Sequence, residues 1–143
     1  MKIYRYPSYL LTEKTNKVKD FGQEFQSLVD LMIGTMIFNL GVGLAAPQVG
    51  EPLKIFVAQS DTIHILVNPT IKWCSFEMTE DDEGCLSIPR TLLPVKRFKC
   101  IGIDYQDRYG DKKEISAEDY LARIFQHEID HLNGIMIINH IRL

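Results

Sequence analysis

Residues Phe125–Gly134 read FQHEIDHLNG, two histidines four apart with a glutamate directly after the first. The spacing has a meaning only if the stretch is helical. Four residues turn an α-helix through about 400°, so His127 and His131 face the same way one turn apart. Both imidazoles can then reach one ion. Glu128 lies about 100° round the helix, near enough to a water on that ion without having to ligate it. H-E-x-x-H is the usual sign of a hydrolytic metal centre, in which an ion acidifies water and the glutamate takes the proton. The alternative is a helix that simply carries two imidazoles. Two ligands are also too few, since a catalytic centre of this kind has three and an open position.

The rest of the chain allows such a helix a small domain to sit in. Its 143 residues suffice for one domain with its own core, spanning 1–143, and not for two. With 45% apolar and 24% charged residues it has the make-up of an ordinary globular protein. No run approaches the roughly 20 apolar residues of a membrane helix, and MKIYRYPSYLLTEK has neither a signal-peptide core nor a transit-peptide pattern. A cytoplasmic protein without membrane contact is expected. The net charge is −3 with no basic stripe, which argues against nucleic-acid binding. The acidic run Glu77–Glu83, EMTEDDE, is expected to be a solvated loop. Three cysteines, Cys74, Cys85 and Cys100, make no disulfide framework and suit a reducing compartment. Cys74 and Cys100 belong to no motif and are expected to serve packing.

Phe21, Phe25, Leu28, Met32, Met36 and Leu40 recur at helical spacing, predicting a helix over Asp20–Leu40 with Gly41 as its stop. Lys54–Ala58, Ile63–Asn68, Trp73–Met78 and Phe98–Asp107 are β-prone, with a hairpin turn at Gly110 and KKEIS returning. Ser116 is a candidate cap for the late helix, with Asp119 as the capping-box acid. Leu121, Ile124, Phe125 and Leu132 give that helix its apolar face, and Gly134 ends it. IMIINHIRL is expected to close the chain in extended form. The whole reads as α+β, antiparallel sheets packed around a C-terminal metal-binding helix with one N-terminal helix.

Two further segments bear on chemistry. His140 lies nine residues past His131, and nothing places it on the same face. Cys85 in EGCLSIP is a better third ligand: a thiolate with two imidazoles would favour zinc, iron(II) or another first-row ion. Equally, a free cysteine is often just a small buried hydrophobe. In GVGLAAPQVG, Gly41 and Gly43 permit close backbone approach, and the amide of Gln48 could donate to an oxygen gaining charge. It could also be a surface glutamine on a glycine-rich turn.

Taken together, GVGLAAPQ, EGCLS and QHEIDHLNG, in this order, resemble the peptide deformylase family, and the resemblance runs from about Phe21 to Asn139. It implies that Cys85, His127 and His131 ligate a divalent metal, typically iron(II), with nickel or zinc as substitutes. It implies Glu128 as general acid/base, and Gln48 with the backbone N–H of Leu86 as the oxyanion donors. Gly43 and Gly84 would lend backbone groups to the substrate, and Val42, Ile124 and Arg97 would surround the methionine side chain. The implied reaction is hydrolysis of the formyl group from the N-terminal formylmethionine of nascent polypeptides, releasing formate. Iron(II) beside a thiolate is expected to be sensitive to oxygen.

The chain departs from the family's pattern in places. Leu40 stands where an acidic residue is usual, which would remove an ion pair with Arg97 at the pocket rim. Asn139 replaces a commoner aspartate, and YPSYLLTEK lacks the usual Asp and Arg. The sequence stops at Leu143, without the C-terminal extension linked to ribosome contact, and so resembles the short forms encoded by phages. A monomer in a bacterial or phage-infected cytoplasm is expected. Competing readings are a metallopeptidase built on H-E-x-x-H, which the cysteine segment argues against, and an idle relative that binds metal or peptide without turnover.

Overall fold

The computed structural model describes residues 1–141, and Arg142 and Leu143, the end of the segment expected to be extended, lie outside them. Among the described residues the helices are α1 (Gln23–Phe38) and α2 (Asp119–Leu132). The strands are β1 (Gly43–Ala45), β2 (Ile55–Gln59), β3 (Ile63–Cys74), β4 (Met78–Cys85), β5 (Ile88–Phe98), β6 (Cys100–Gln106) and β7 (Lys112–Glu118). Five strands form one antiparallel sheet in the order β1-β2-β3-β6-β7, and β4 and β5 pair separately. The architecture is α+β, as expected.

β2 explains why the sheet lies between the two helices. Successive strand residues face opposite sides. Ile55 and Val57 join a core with Val29, Met32 and Met36 of α1, whereas Phe56 and Ala58 join a second core with Ala122, Ile124 and Phe125 of α2. Both faces are buried from Ile55 to Ala58, which is why these four residues are all apolar and do not alternate. No described helix is long and apolar enough to cross a membrane.

Several boundaries differ from expectation. The stripe on α1 is buried only through Met36, and Leu40 is exposed beyond the helix end. Ser116 does not cap α2, because β7 continues past it and Ser116 pairs with Gly102. Asp119 begins the helix instead, with no side-chain cap. β3 extends to Cys74, so no separate strand occupies 73–78. β5 was not anticipated, since Pro89 and Pro94 disguise it; with only one partner strand it tolerates prolines. Ile137–His140 is a 3-10 turn and not extended. Cys74 is exposed, so it does not serve packing.

The acidic run proves to be strand β4. Glu80 pairs across with Lys96, so opposite charges meet there and make the pairing favourable. Its last acid, Glu83, is buried.

Candidate metal centre

The β4–β5 hairpin closes with Cys85 opposite Ile88, leaving Leu86 and Ser87 as the turn. The register breaks between Glu83 and Cys85, where β5 bulges from Pro89 to Leu92 opposite Gly84. Glu83 and Cys85, two apart, present their side chains to the same side. That side meets α2, from which His127 and His131 project.

The Cys85 Sγ lies 3.3 Å from His131 Nε2, and the two Nε2 atoms are 3.2 Å apart. All three candidate donor atoms fall within 4.8 Å of one another. His127 is oriented from behind: its Nδ1 is 2.9 Å from Glu83 Oε1, so the N–H donates there and Nε2 faces the cluster. Burial and the nearby His127 charge hold His131 well below its ordinary value, which keeps a lone pair available. For His127, burial works in the lowering direction, but Glu128, Cys85 and Glu83 outweigh it and raise the ring to about 10. A cation entering the cluster would displace that proton. The sulfur and imidazole set suits a first-row divalent ion.

Glu128 sits beside the cluster, with Oε2 4.0 Å from His127 Nε2. It is buried, and its Oε1 has no hydrogen-bond partner among the described residues. Burial pushes its carboxyl up to about 7; Glu83 and Asp130 add to this, and His127 and Arg97 oppose it. Gly43 is what leaves room for it, since a Cβ there would lie 2.3 Å from Glu128 Oε2.

Gln48 is fully inside the protein, so the surface alternative fails. Its Oε1 accepts from Ala45 N at 2.9 Å, and its Nε2 donates to Ser87 Oγ at 3.1 Å and points to Cys85 Sγ at 3.7 Å. Ser87 in turn donates to the carbonyl of Tyr4 at 2.7 Å. A cavity of about 910 Å³ opens over these groups. Val42, Gly43, Gln48, Gly84, Leu86 and Ile124 all line it, together with Cys85, His127 and Glu128.

Arg97 does not line this cavity; Arg123 does. Arg97 is buried behind the cluster, where its Nε and NH2 each donate to Glu83 at 2.9 Å and its NH1 pairs with Asp130. The placing of Arg97 at the methionine pocket, with a rim ion pair lost to Leu40, is therefore corrected: Arg97 is buried and paired with Glu83 and Asp130. Burial resists the Glu83 charge, but Arg97 and His127 hold its carboxyl well below the usual range. Arg123 NH1 adds a bond to Glu83 at 2.6 Å, and His140 Nε2 reaches Asp130 at 2.9 Å.

Sequence reasoning missed Glu83, Ser87, Arg123 and Asp130. Arg123 alone carried a signal, being an arginine one turn before His127 on a helix face otherwise destined for burial.

Three soft or borderline donors meeting beside a buried carboxylate, at the floor of a cavity, put this chain in the class of metallohydrolases. A family model described as polypeptide deformylase matches residues 1–143. The peptide deformylase of Wolinella succinogenes is 39% identical over 152 residues, spanning 100% of this chain and 89% of its own length. That of Dictyoglomus turgidum is 43% identical over 140 residues, spanning 97% and 91%. Among solved structures, the peptide deformylase of Thermotoga maritima matches with a TM-score of 0.97 at 37% identity, covering 99% of this chain and 97% of that one. One from Synechococcus elongatus in complex with actinonin gives 0.96 at 31% identity, covering 99% and 79%. The chain belongs to the polypeptide deformylase family.

Proposed function

We propose that this protein hydrolyses the formyl group from the N-terminal formylmethionine of newly made polypeptides, releasing formate and a free amine. The carrying observation is the convergence of Cys85, His127 and His131 within 4.8 Å beside the buried carboxylate of Glu128, whose Oε1 has no partner among the described residues. Cys85, His127 and His131 would hold a divalent ion, iron(II) natively, with zinc or nickel able to substitute. When bound, that ion supplies Lewis acidity and a water acidified toward neutral pH.

The chain's own groups do the rest. Glu128 takes a proton from the attacking water as the new C–O bond forms at the formyl carbon, then delivers it to the departing nitrogen as the C–N bond breaks. The Gln48 amide and the Leu86 N–H donate to the oxygen that gains charge. Gln48 suits that role because Ala45 and Ser87 fix its amide before substrate arrives. Backbone groups of Gly43 and Gly84 hold the peptide, and Val42 and Ile124 flank the methionine side chain. Arg97 has no place at the substrate and acts through Glu83 as a positioning residue. Residues 1–143 are taken to work as one catalytic domain, monomeric and cytoplasmic.

The test is formate release from formyl-Met-Ala-Ser by metal-loaded protein, with the unformylated peptide alongside. Formate should appear, and Glu128→Ala should slow it about 10²–10⁴-fold. Cleavage inside the unformylated peptide would instead identify a peptidase, and binding without turnover an idle relative.

A further inference from the structure

The cavity that reaches Glu128 continues past Val42 to the end of α1 and along the helix, lined there by Leu40, Phe38 and Leu31. These three side chains are 55%, 87% and 92% exposed. Leaving that much apolar surface in water is unfavourable. Leu40 adds a second unfavourable feature, a backbone φ of +57°. There an L side chain crowds the adjoining carbonyl, and glycine or asparagine is the usual occupant.

Ending the helix does not require leucine. The stop consists of backbone bonds, from Leu40 N to Ile37 O at 3.1 Å and from Gly41 N to Met36 O at 2.9 Å. Glycine would make them without strain. Strain and exposed apolar surface kept together at the edge of a functional cavity point to a task there.

The path from that edge to the chemistry is short. Leu40 is three residues before Gly43, whose added Cβ would lie 2.3 Å from Glu128 Oε2. Three residues span at most about 11 Å, so Leu40 lies no farther than that from Gly43. A peptide whose formyl carbon lies at Glu128, running outward beside Val42, therefore reaches Leu40 by its third residue.

We infer that Leu40, with Phe38 and Leu31 lining the same cavity, is a specificity-determining ledge that accepts an apolar side chain at the third residue of the formylmethionyl peptide. The inference rests on the deformylase reading above and adds a substrate class to it, namely chains that are apolar two residues after methionine.

Amidated formyl-Met-Ala-Leu and formyl-Met-Ala-Ser, compared by kcat/KM with metal-loaded protein, test this directly. The wild type should favour the leucine peptide about tenfold, the low end of what one apolar contact discriminates, and Leu40→Gly and Leu40→Asn should bring the ratio to within about twofold of unity. Both variants should melt at or above the wild-type Tm, because each relieves the left-handed strain. A wild-type ratio near one, or a preference that survives both replacements, overturns the ledge. A Tm lowered in both variants assigns Leu40 a structural role and also overturns it. Absence of formate from both peptides with wild-type protein overturns the deformylase reading itself, and the ledge with it.

Discussion

Glu83 accepts hydrogen bonds from Arg97 and Arg123 and anchors the His127 ring, with all four groups largely shut off from water. Two guanidinium charges lie against that carboxylate, so neutralising it strands them in a medium that solvates charge poorly. Glu83→Gln should destabilise the protein by about 3–5 kcal/mol in chemical denaturation. The same change loosens the carboxylate that aims His127, so affinity for zinc in a chelator competition should fall about 10–100-fold. Gly43 acts through space alone. In Gly43→Ala the new methyl would meet Glu128 Oε2 at 2.3 Å, and the carboxylate must move. A displacement of the order of 1 Å in a reacting group costs about 10²-fold, so turnover should drop by that factor while metal content, measured by elemental analysis, holds.

At the scale of elements, the site depends on where a hairpin ends relative to a helix. The β4–β5 turn carries Cys85 and Ser87, and α2 carries His127, Glu128 and His131. Neither element is fastened by the donor atoms themselves. β4–β5 is held to α2 by the Arg97–Asp130 and Arg123–Glu83 pairs, and by the Gln126 amide, which bonds to both N–H and C=O of Phe98 at 2.9 and 2.8 Å. The main sheet has its own fitted contact, Trp73 on β3 lying over Gly102 on β6. A Cβ at Gly102 would lie 2.0 Å from Trp73 Nε1. Gly102→Ala should thus cost about 1–3 kcal/mol, and because Trp73 is the one tryptophan, its fluorescence should shift in the same variant. The helices were legible as periodic sequence because each buries one face against the sheet. β4 and β5 were not legible, because a strand with a single partner strand can be charged or carry proline.

For the molecule as a whole, a bound ion would join segments far apart in sequence, Cys85 from the hairpin and His127 and His131 from the late helix. Such a ligand binds the folded state and not the unfolded chain, so it must add stability. At about 100 times its dissociation constant, zinc should stabilise the protein by about 2.7 kcal/mol, and a chelator should remove that increment in a denaturant titration. In Cys85→Ala the increment should shrink sharply, because two ligands remain where three stood.

The sequence by itself determined what recurs along the chain: the helical spacing that pairs His127 with His131, the apolar stripe of α1, the α+β class, and the three motifs that carry the family resemblance. These depend on local geometry, which a few neighbouring residues fix. Only the tertiary structure decided that Glu83 leaves an acidic run to become the buried partner of two arginines, that Arg97 stands behind the cluster and not at the substrate, and that Leu40 ends outside the core. Each of those outcomes is set by which distant strand or helix arrives opposite the residue, and burial and charge compensation act only once it has arrived.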